Sequence, residues 1–178
     1  MQKAFVIGTC GLARAAISAM IRLGFSKINI TSHDDQSAEA LIKDFSEIYF
    51  NVQFEYTKRG DVTILPGTNG LVVNTFSALD DVEFPSEIYF FNFLKKYGIV
   101  MDLVEVPIET PFLKIAQDIE ARVVHGYEAL GFYDLNWVAK VTGQKLDFES
   151  YKPLLKSHLE SVSYDKNKLQ KILDEFQI

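Results

Sequence analysis

Apolar residues fall along this chain in two alternating rhythms, short unbroken runs and longer stretches at helical spacing, which predict strands and helices in turn. Ala4-Phe5-Val6-Ile7 is a continuous apolar run closed by Gly8, the pattern of a strand buried on both faces. Leu12 to Leu23 carries alanines and large apolar residues at helical spacing, with Gly24 just beyond as a stop signal. Lys27 to Thr31 reads as a second strand and Ala38 to Ile48 as a second amphipathic helix. Val52 to Tyr56 alternates as a strand does. Gly60 to Gly70 gathers turn residues around the apolar patch Val62-Thr63-Ile64-Leu65, and Leu71 to Asn74 is a further strand. A helix is predicted over Glu87 to Lys96, with the run Tyr89-Phe90-Phe91-Asn92-Phe93 supplying its core or, if exposed, a partner surface. Ile99 to Val106 reads as a strand stopped by Pro107. Thr110 before Pro111 reads as the cap of a helix through Ile119, Arg122 to His125 as a last short strand, and Gly126 to Thr142 as a long helix containing Trp137.

Strands alternating with helices imply parallel pairing and a sheet covered on both faces, an α/β fold of the doubly wound kind over residues 1–143. From Gly143 the pattern turns polar and helix-forming. Lys145 to Ser161 and Asp165 to Phe176 read as two helices with no strand between them, so residues 144–178 form a helical tail packed on the domain or on a partner.

Composition narrows the function classes. The chain has 178 residues, 48% hydrophobic and 24% charged, which suits one packed globular domain. A formal net charge of −6, with no basic run, argues against nucleic acid or an anionic membrane as the main partner. Cys10 is the single cysteine, so an internal disulfide and a thiolate zinc site are excluded, as suits a reducing cytoplasm. No apolar stretch reaches bilayer length.

The chemistry sits early. Gly8-Thr9-Cys10-Gly11-Leu12-Ala13 follows the first strand and opens the first helix, the context in which a glycine turn binds a pyrophosphate through main-chain N–H groups and the helix dipole. Against the G-x-G-x-x-G/A pattern of the Rossmann dinucleotide-binding fold, Gly8 and Ala13 fit and Cys10 replaces the middle glycine.

Three motifs carry a family resemblance. Gly8-Thr9-Cys10-Gly11-Leu12-Ala13-Arg14-Ala15 resembles the G-A-G-G-A-x-R-A turn of shikimate dehydrogenases. Asp102-Leu103-Val104-Glu105-Val106-Pro107-Ile108-Glu109-Thr110-Pro111-Phe112-Leu113 resembles their D-x-x-Y-x-P-x-x-T-P-L-L signature. Gly126-Tyr127-Glu128-Ala129-Leu130, with Thr142-Gly143 further on, resembles their G-x-x-M-L-x-x-Q segment and the helix after it. Together they correspond to the C-terminal, cofactor-binding half of that family. The resemblance implies an NAD(P)-dependent oxidoreductase of aromatic amino acid biosynthesis, moving a hydride between a nicotinamide and a shikimate- or quinate-type hydroxy acid.

By the same resemblance Thr9, Cys10, Gly11, Leu12 and Ala13 receive the pyrophosphate, Ser32, His33 and Asp34 the adenine ribose, and Asn74, Thr75, Phe76, Ser77, Leu103 and Gly126 the nicotinamide side. Glu105 stands where the family has a tyrosine, Ala129 where it has methionine, and Tyr133 where a glutamine holds the substrate. The family's catalytic lysine and aspartate belong to an N-terminal domain that these motifs do not include, so the chain is expected to be inactive alone. Its expected partners are a nicotinamide dinucleotide and a substrate-binding domain or a homodimer partner. Ser32-His33-Asp34 replaces the family's N-R-T, whose arginine pairs with the 2′-phosphate of NADP. A carboxylate repels that phosphate, which favours NAD.

Alternatives stay open. The chain is either the cofactor half of such an enzyme or a non-catalytic relative that senses nucleotide or docks a protein. Cys10 is a redox-sensitive thiol or simply a small residue that fits the turn. His125 lines the site or is a satisfied structural histidine. Asp102 faces the ligand or fixes the loop after its strand.

Overall fold

The computed structural model describes residues 2–76 and 86–176, with side chains as far as Val162 in the last helix. Ser77, expected on the nicotinamide side, lies outside the described residues. Among the described residues there are six strands: β1 (Gln2–Ile7), β2 (Phe25–Thr31), β3 (Gln53–Tyr56), β4 (Asn69–Asn74), β5 (Leu94–Asp102) and β6 (Arg122–Val124). The helices are α1 (Gly11–Arg22), α2 (Asp35–Ser46), α3 (Pro111–Asp118), α4 (Gly126–Thr142) and α5 (Phe148–Phe176).

The strands form one parallel sheet in the order β3-β2-β1-β4-β5-β6. Alternation along β1 shows why it is buried on both faces. Ala4 and Val6 join Ile28, Ile30 and Val73 under α1 and α2, whereas Phe5 and Ile7 join Val72, Val100 and the α3 residues Phe112 and Leu113. On that second face the Phe5 and Phe93 rings stack with centroids 4.5 Å apart. Truncating a fully buried phenylalanine such as either of these costs about 3–5 kcal/mol. One register row, Thr31–Ile7–Asn74–Asp102, closes four neighbouring strands at the same level, their carboxyl ends.

The chain gathers into two compact units, Met1–Leu103 with Pro111–Val124, and Val104–Thr110 with His125–Ile178. The first contains the sheet with α1, α2 and α3. The second contains α4 and α5 around Ile108, Tyr127, Leu155 and Leu159. Within it α4 approaches α5 closely at Gly131, where a Cβ would stand 2.9 Å from the Phe148 ring, and Phe132 stacks on Phe148 at 4.0 Å.

Several sequence expectations need correction. The helix expected over Glu87 to Lys96 is a short 3-10 turn, Ser86–Phe90, after which β5 begins at Leu94. The chain reverses at Phe91, whose φ is +48°, and the Asn92 side chain holds the reversal by donating to the carbonyls of Val62, Thr63 and Leu65 at 2.8–3.0 Å. Phe91 and Phe93 are thus both buried, although Phe90 is 71% exposed. The strand expected to reach Val106 stops at Asp102, and the patch Val62 to Leu65 lies in and just past a 3-10 turn, Arg59–Ile64. The second helix begins at Asp35, not Ala38. The two tail helices are one, because nothing between Ser161 and Asp165 breaks a helix. Among the described residues no helix is long and apolar enough to cross a membrane.

Candidate functional site

Strand order reverses between β1 and β4, both running to the same edge from opposite sides of the switch. In such sheets ligands bind outside the carboxyl ends of the strands at that point. The β1–α1 turn is built there by main-chain constraints. Gly8 has φ +105°, and a Cβ on it would lie 2.6 Å from the Thr75 hydroxyl oxygen. Its N–H donates to the Thr31 carbonyl at 2.8 Å, and both the N–H and the hydroxyl of Thr75 donate to the Ile7 carbonyl, at 2.9 and 2.8 Å. Only glycine fits between those strands.

The first intrahelical bond of α1 runs from the Arg14 N–H to the Cys10 carbonyl, so the N–H groups of Gly11, Leu12 and Ala13 precede the helix's own ladder. Cys10 makes no side-chain cap, and the first turn of α1 carries no acidic residue. Cys10 replaces the middle glycine without blocking the turn, since its thiol is directed to the Thr75 carbonyl at 3.4 Å. Close approach is open one residue later: among the described residues a Cβ on Gly11 would meet nothing within 4 Å. Ala13 is fully buried against the sheet, as the third small residue of the motif should be. These features fit a diphosphate held by main-chain amides.

The start of α2 is the opposite case. Asp34 caps it, accepting from the N–H groups of Gln36 at 3.1 Å and Ser37 at 3.3 Å and from the Ser37 hydroxyl. That hydroxyl bond above all, opposed by partial burial and helped by the two amides and His33, holds the Asp34 carboxyl below the ordinary range. Ser32 is buried beside the turn, its hydroxyl 3.4 Å from that of Thr9, and the His33 ring meets Phe76 edge-on at 5.5 Å.

At the end of β4, buried Asn74 works as a brace. It donates to Asp102 at 2.9 Å and to the Phe76 carbonyl at 3.2 Å and accepts from the Phe76 N–H at 3.0 Å, while the Leu103 N–H donates to its carbonyl at 2.9 Å. Asp102 thus ties β5 to β4. Burial, and secondarily the Asp102 charge, raises the Tyr89 hydroxyl above its ordinary value.

The predicted turn, Ser32 to Asp34, Asn74 to Phe76 and Leu103 all lie in the first unit, at the carboxyl ends of β1, β2, β4 and β5. Glu105, Gly126 and Tyr133 belong to the second unit: Glu105 is exposed, Gly126 is the buried first residue of α4, and Tyr133 is 67% exposed on that helix. That unit holds a polar network that residue patterns had not revealed. His125 Nε2 lies 3.0 Å from Glu109, Glu128 accepts from the His125 N–H at 3.1 Å, and Lys152 donates to Glu128. Burial pushes the Glu128 carboxyl up, but the bonds from Lys152 and His125 outweigh it and leave it below the ordinary range, and Lys152 is raised by the same bond.

The strand order, the switch point and the glycine turn define the Rossmann class of doubly wound folds. No protein-family model matches the chain. Curated relatives do: it is 31% identical over 165 residues to the shikimate dehydrogenase (NADP(+)) of Prochlorococcus marinus, covering 89% of this chain and 57% of that protein. Over most of its length the chain is similar to the C-terminal, NAD(P)-binding region of shikimate dehydrogenases. It spans about half the length of the curated relatives it matches. Among solved structures, quinate dehydrogenase from Corynebacterium glutamicum in complex with NAD superposes with a TM-score of 0.72 at 19% identity, over 90% of this chain and 55% of that one. Shikimate 5-dehydrogenase from Thermus thermophilus in complex with shikimate gives 0.68 at 22%, over 88% and 54%.

Proposed function

We propose that this chain binds a nicotinamide dinucleotide across the switch point and serves as the cofactor-binding part of a shikimate- or quinate-type dehydrogenase, with the substrate's acid–base groups supplied by a partner domain. The observation that carries this reading is the contrast between two helix starts at the same sheet edge. The start of α2 is closed by its own Asp34, whereas α1 begins with no side-chain cap and no acid in its first turn. Uncapped first-turn amides backed by a helix dipole are an anion site. Gly11, Leu12 and Ala13 would present N–H groups to the diphosphate, and Gly8 would keep the turn tight against Thr75.

Ser32 and Asp34 would flank the adenine ribose, and Asn74 to Phe76, with Leu103, the nicotinamide. The nicotinamide, when bound, accepts or delivers the hydride. By the resemblance, Glu105 and Tyr133 stand at positions on the substrate side. NAD is favoured over NADP, because the 2′-phosphate would meet the carboxylates of Asp34 and Asp35 at the start of α2, where Ser32-His33-Asp34 carries no arginine to pair with it. The curated relatives' names give NADP(+), so the two cofactors are titrated side by side.

A fluorescence titration with NADH and NADPH tests both statements. Saturable binding of either supports the function, and no response to either at millimolar concentration overturns it. Tighter binding of NADPH would overturn the choice of NAD alone. A second reading, a nucleotide-sensing or docking module without catalysis, is favoured by Glu105, Ala129 and Tyr133 standing where the family carries other residues. Turnover of shikimate or quinate on adding a separate N-terminal half would exclude it.

A further inference from the structure

The polar network of the second unit joins three stretches of chain. Glu109 belongs to the Val104–Thr110 segment, His125 and Glu128 to the start of α4, and Lys152 to α5. The segment is seated by apolar contact, with Ile108 buried among Tyr127, Leu155 and Leu159 and Val106 packed against them. One residue on from Ile108 the hold changes in kind, because the Glu109 side chain is 45% exposed and is fastened by the His125 ring.

His125 stands between two carboxylates. Its Nε2 lies 3.0 Å from Glu109 Oε1, its Nδ1 lies 3.7 Å from Glu128 Oε2, and only 16% of its side chain is exposed. Tyr127 meets the ring at 5.6 Å, and Lys152 pairs with the other oxygen of Glu128. With the ring protonated, charges alternate along Glu109, His125, Glu128 and Lys152, and each carboxylate faces a cation. A neutral imidazole has one N–H and one lone pair. If the hydrogen is on Nε2, the bond to Glu109 is uncharged and the Nδ1 lone pair faces Glu128; if it is on Nδ1, the bond to Glu109 is lost. Both neutral forms hold the segment less well than the cation does, since a charge-assisted hydrogen bond is about twice as strong as a neutral one. His125 also occupies the N-cap position of α4, where the helix dipole disfavours a cation, and the two carboxylates offset that field.

We infer that His125 is a proton-operated strap: protonated, it fastens the Val104–Thr110 segment to α4 through Glu109, and on losing the proton it lets the segment loosen. The segment carries Glu105, so under the proposed function the strap would make the substrate-side position depend on pH. The strap itself needs no cofactor and is tested without one, so its failure leaves the dinucleotide reading untouched.

Amide hydrogen exchange and backbone NMR relaxation of residues 104–110, compared at about pH 5.5 and about pH 8.5 after correction for intrinsic exchange, test this. The expected result is a segment that opens about threefold more often at the higher pH, the difference between a charged and a neutral hydrogen bond at a half-exposed site. His125→Gln, uncharged at both, should show the high-pH behaviour throughout. Glu109→Gln should also remove the step, and the double variant should go no further than either single one, because both act through the same contact. His158→Gln, which changes the other histidine of this unit, should leave the step in place. Glu109 is exposed enough for Glu109→Gln to decide the matter alone should His125→Gln fold poorly by circular dichroism. No step in the parent, a step that survives Glu109→Gln, a step that His158→Gln removes, or additive losses in the double variant would each overturn the inference.

Discussion

The β1–α1 turn and the α4–α5 pair hold themselves together by different physics. At the turn almost every constraint is main chain: Gly8 to Thr31, Thr75 to Ile7, Arg14 to Cys10. In the helical pair the specific contacts are side-chain charges and hydroxyls, with Lys152 on Glu128, Glu128 on the His125 N–H, and Tyr151 on Asp134. Main-chain bonds titrate with nothing and are little affected by salt, whereas ion pairs respond to both. A site that presents bare amides to an anion suits the first construction.

The sharpest way to break the contrast is at Gly8. Gly8→Ala forces a side chain into a φ of +105° and into contact with the Thr75 hydroxyl. Backbone strain and the loss of the Thr75–Ile7 bond together should cost about 2–4 kcal/mol. The loss should be the same at low and high salt and should remove dinucleotide binding. Adding Thr75→Ala should recover the steric part but not the strain. Full recovery of stability in the double variant would show that the turn is not held by its backbone.

A smaller effect, with the opposite dependence on conditions, is expected in the helical pair. Glu128 is below its ordinary carboxyl value in the folded chain, so it contributes stability above the unfolded value that is lost as pH falls through the folded one. Glu128→Gln should therefore lower stability by about 1 kcal/mol near neutral pH. The gap from the parent should close in acid and narrow at high salt. Urea unfolding at pH 7 and pH 3 reads this directly, and a gap that persists unchanged in acid would mean that shape rather than charge holds Glu128. Lys152, raised by the same bond, gives the converse: its contribution is present below the ordinary lysine value and fades as pH rises through the folded one.

The sequence made the first region far more legible than the second. A buried strand, a glycine and a helix in succession specify the turn almost residue by residue, because Gly8 and Ala13 are forced by space that only small residues fill. The parallel, doubly wound character of the sheet followed from strand and helix alternation, but the strand order came only with the structure. What the sequence hid were features set by contacts distant along the chain. The Glu87 to Lys96 segment has helical composition, but Asn92 reaches back some thirty positions to the Val62 and Thr63 carbonyls and turns the backbone into β5. The Glu109–His125 contact spans sixteen residues, with no spacing that periodicity could have marked. The exposed stripe Tyr133–Trp137–Val141 was legible in principle, as a four-residue repeat of large apolar residues, but only exposure separates such a stripe from a core face.

Asp34 stands between the two regions, since its side-chain charge restrains main-chain amides, and it sharpens the comparison where the effect is smallest. Read from sequence, its carboxylate was expected to serve the adenine ribose, yet both oxygens accept from the amides and hydroxyl at the start of α2. If the cap is its main role, Asp34→Ala should lower the melting temperature at neutral pH by less than Gly8→Ala does. Asp34→Asn, whose side-chain oxygen caps nearly as well, should leave it close to the parent. Because the folded carboxyl lies below its ordinary value, the deficit of Asp34→Ala should shrink as pH falls through that value. Asp34→Asn also separates the two roles in one molecule. With the cap kept and the charge gone, any gain in NADPH affinity relative to NADH measures electrostatic repulsion alone, and an unchanged ratio would show that the Asp34 charge, already committed to the helix, does not set the choice of cofactor.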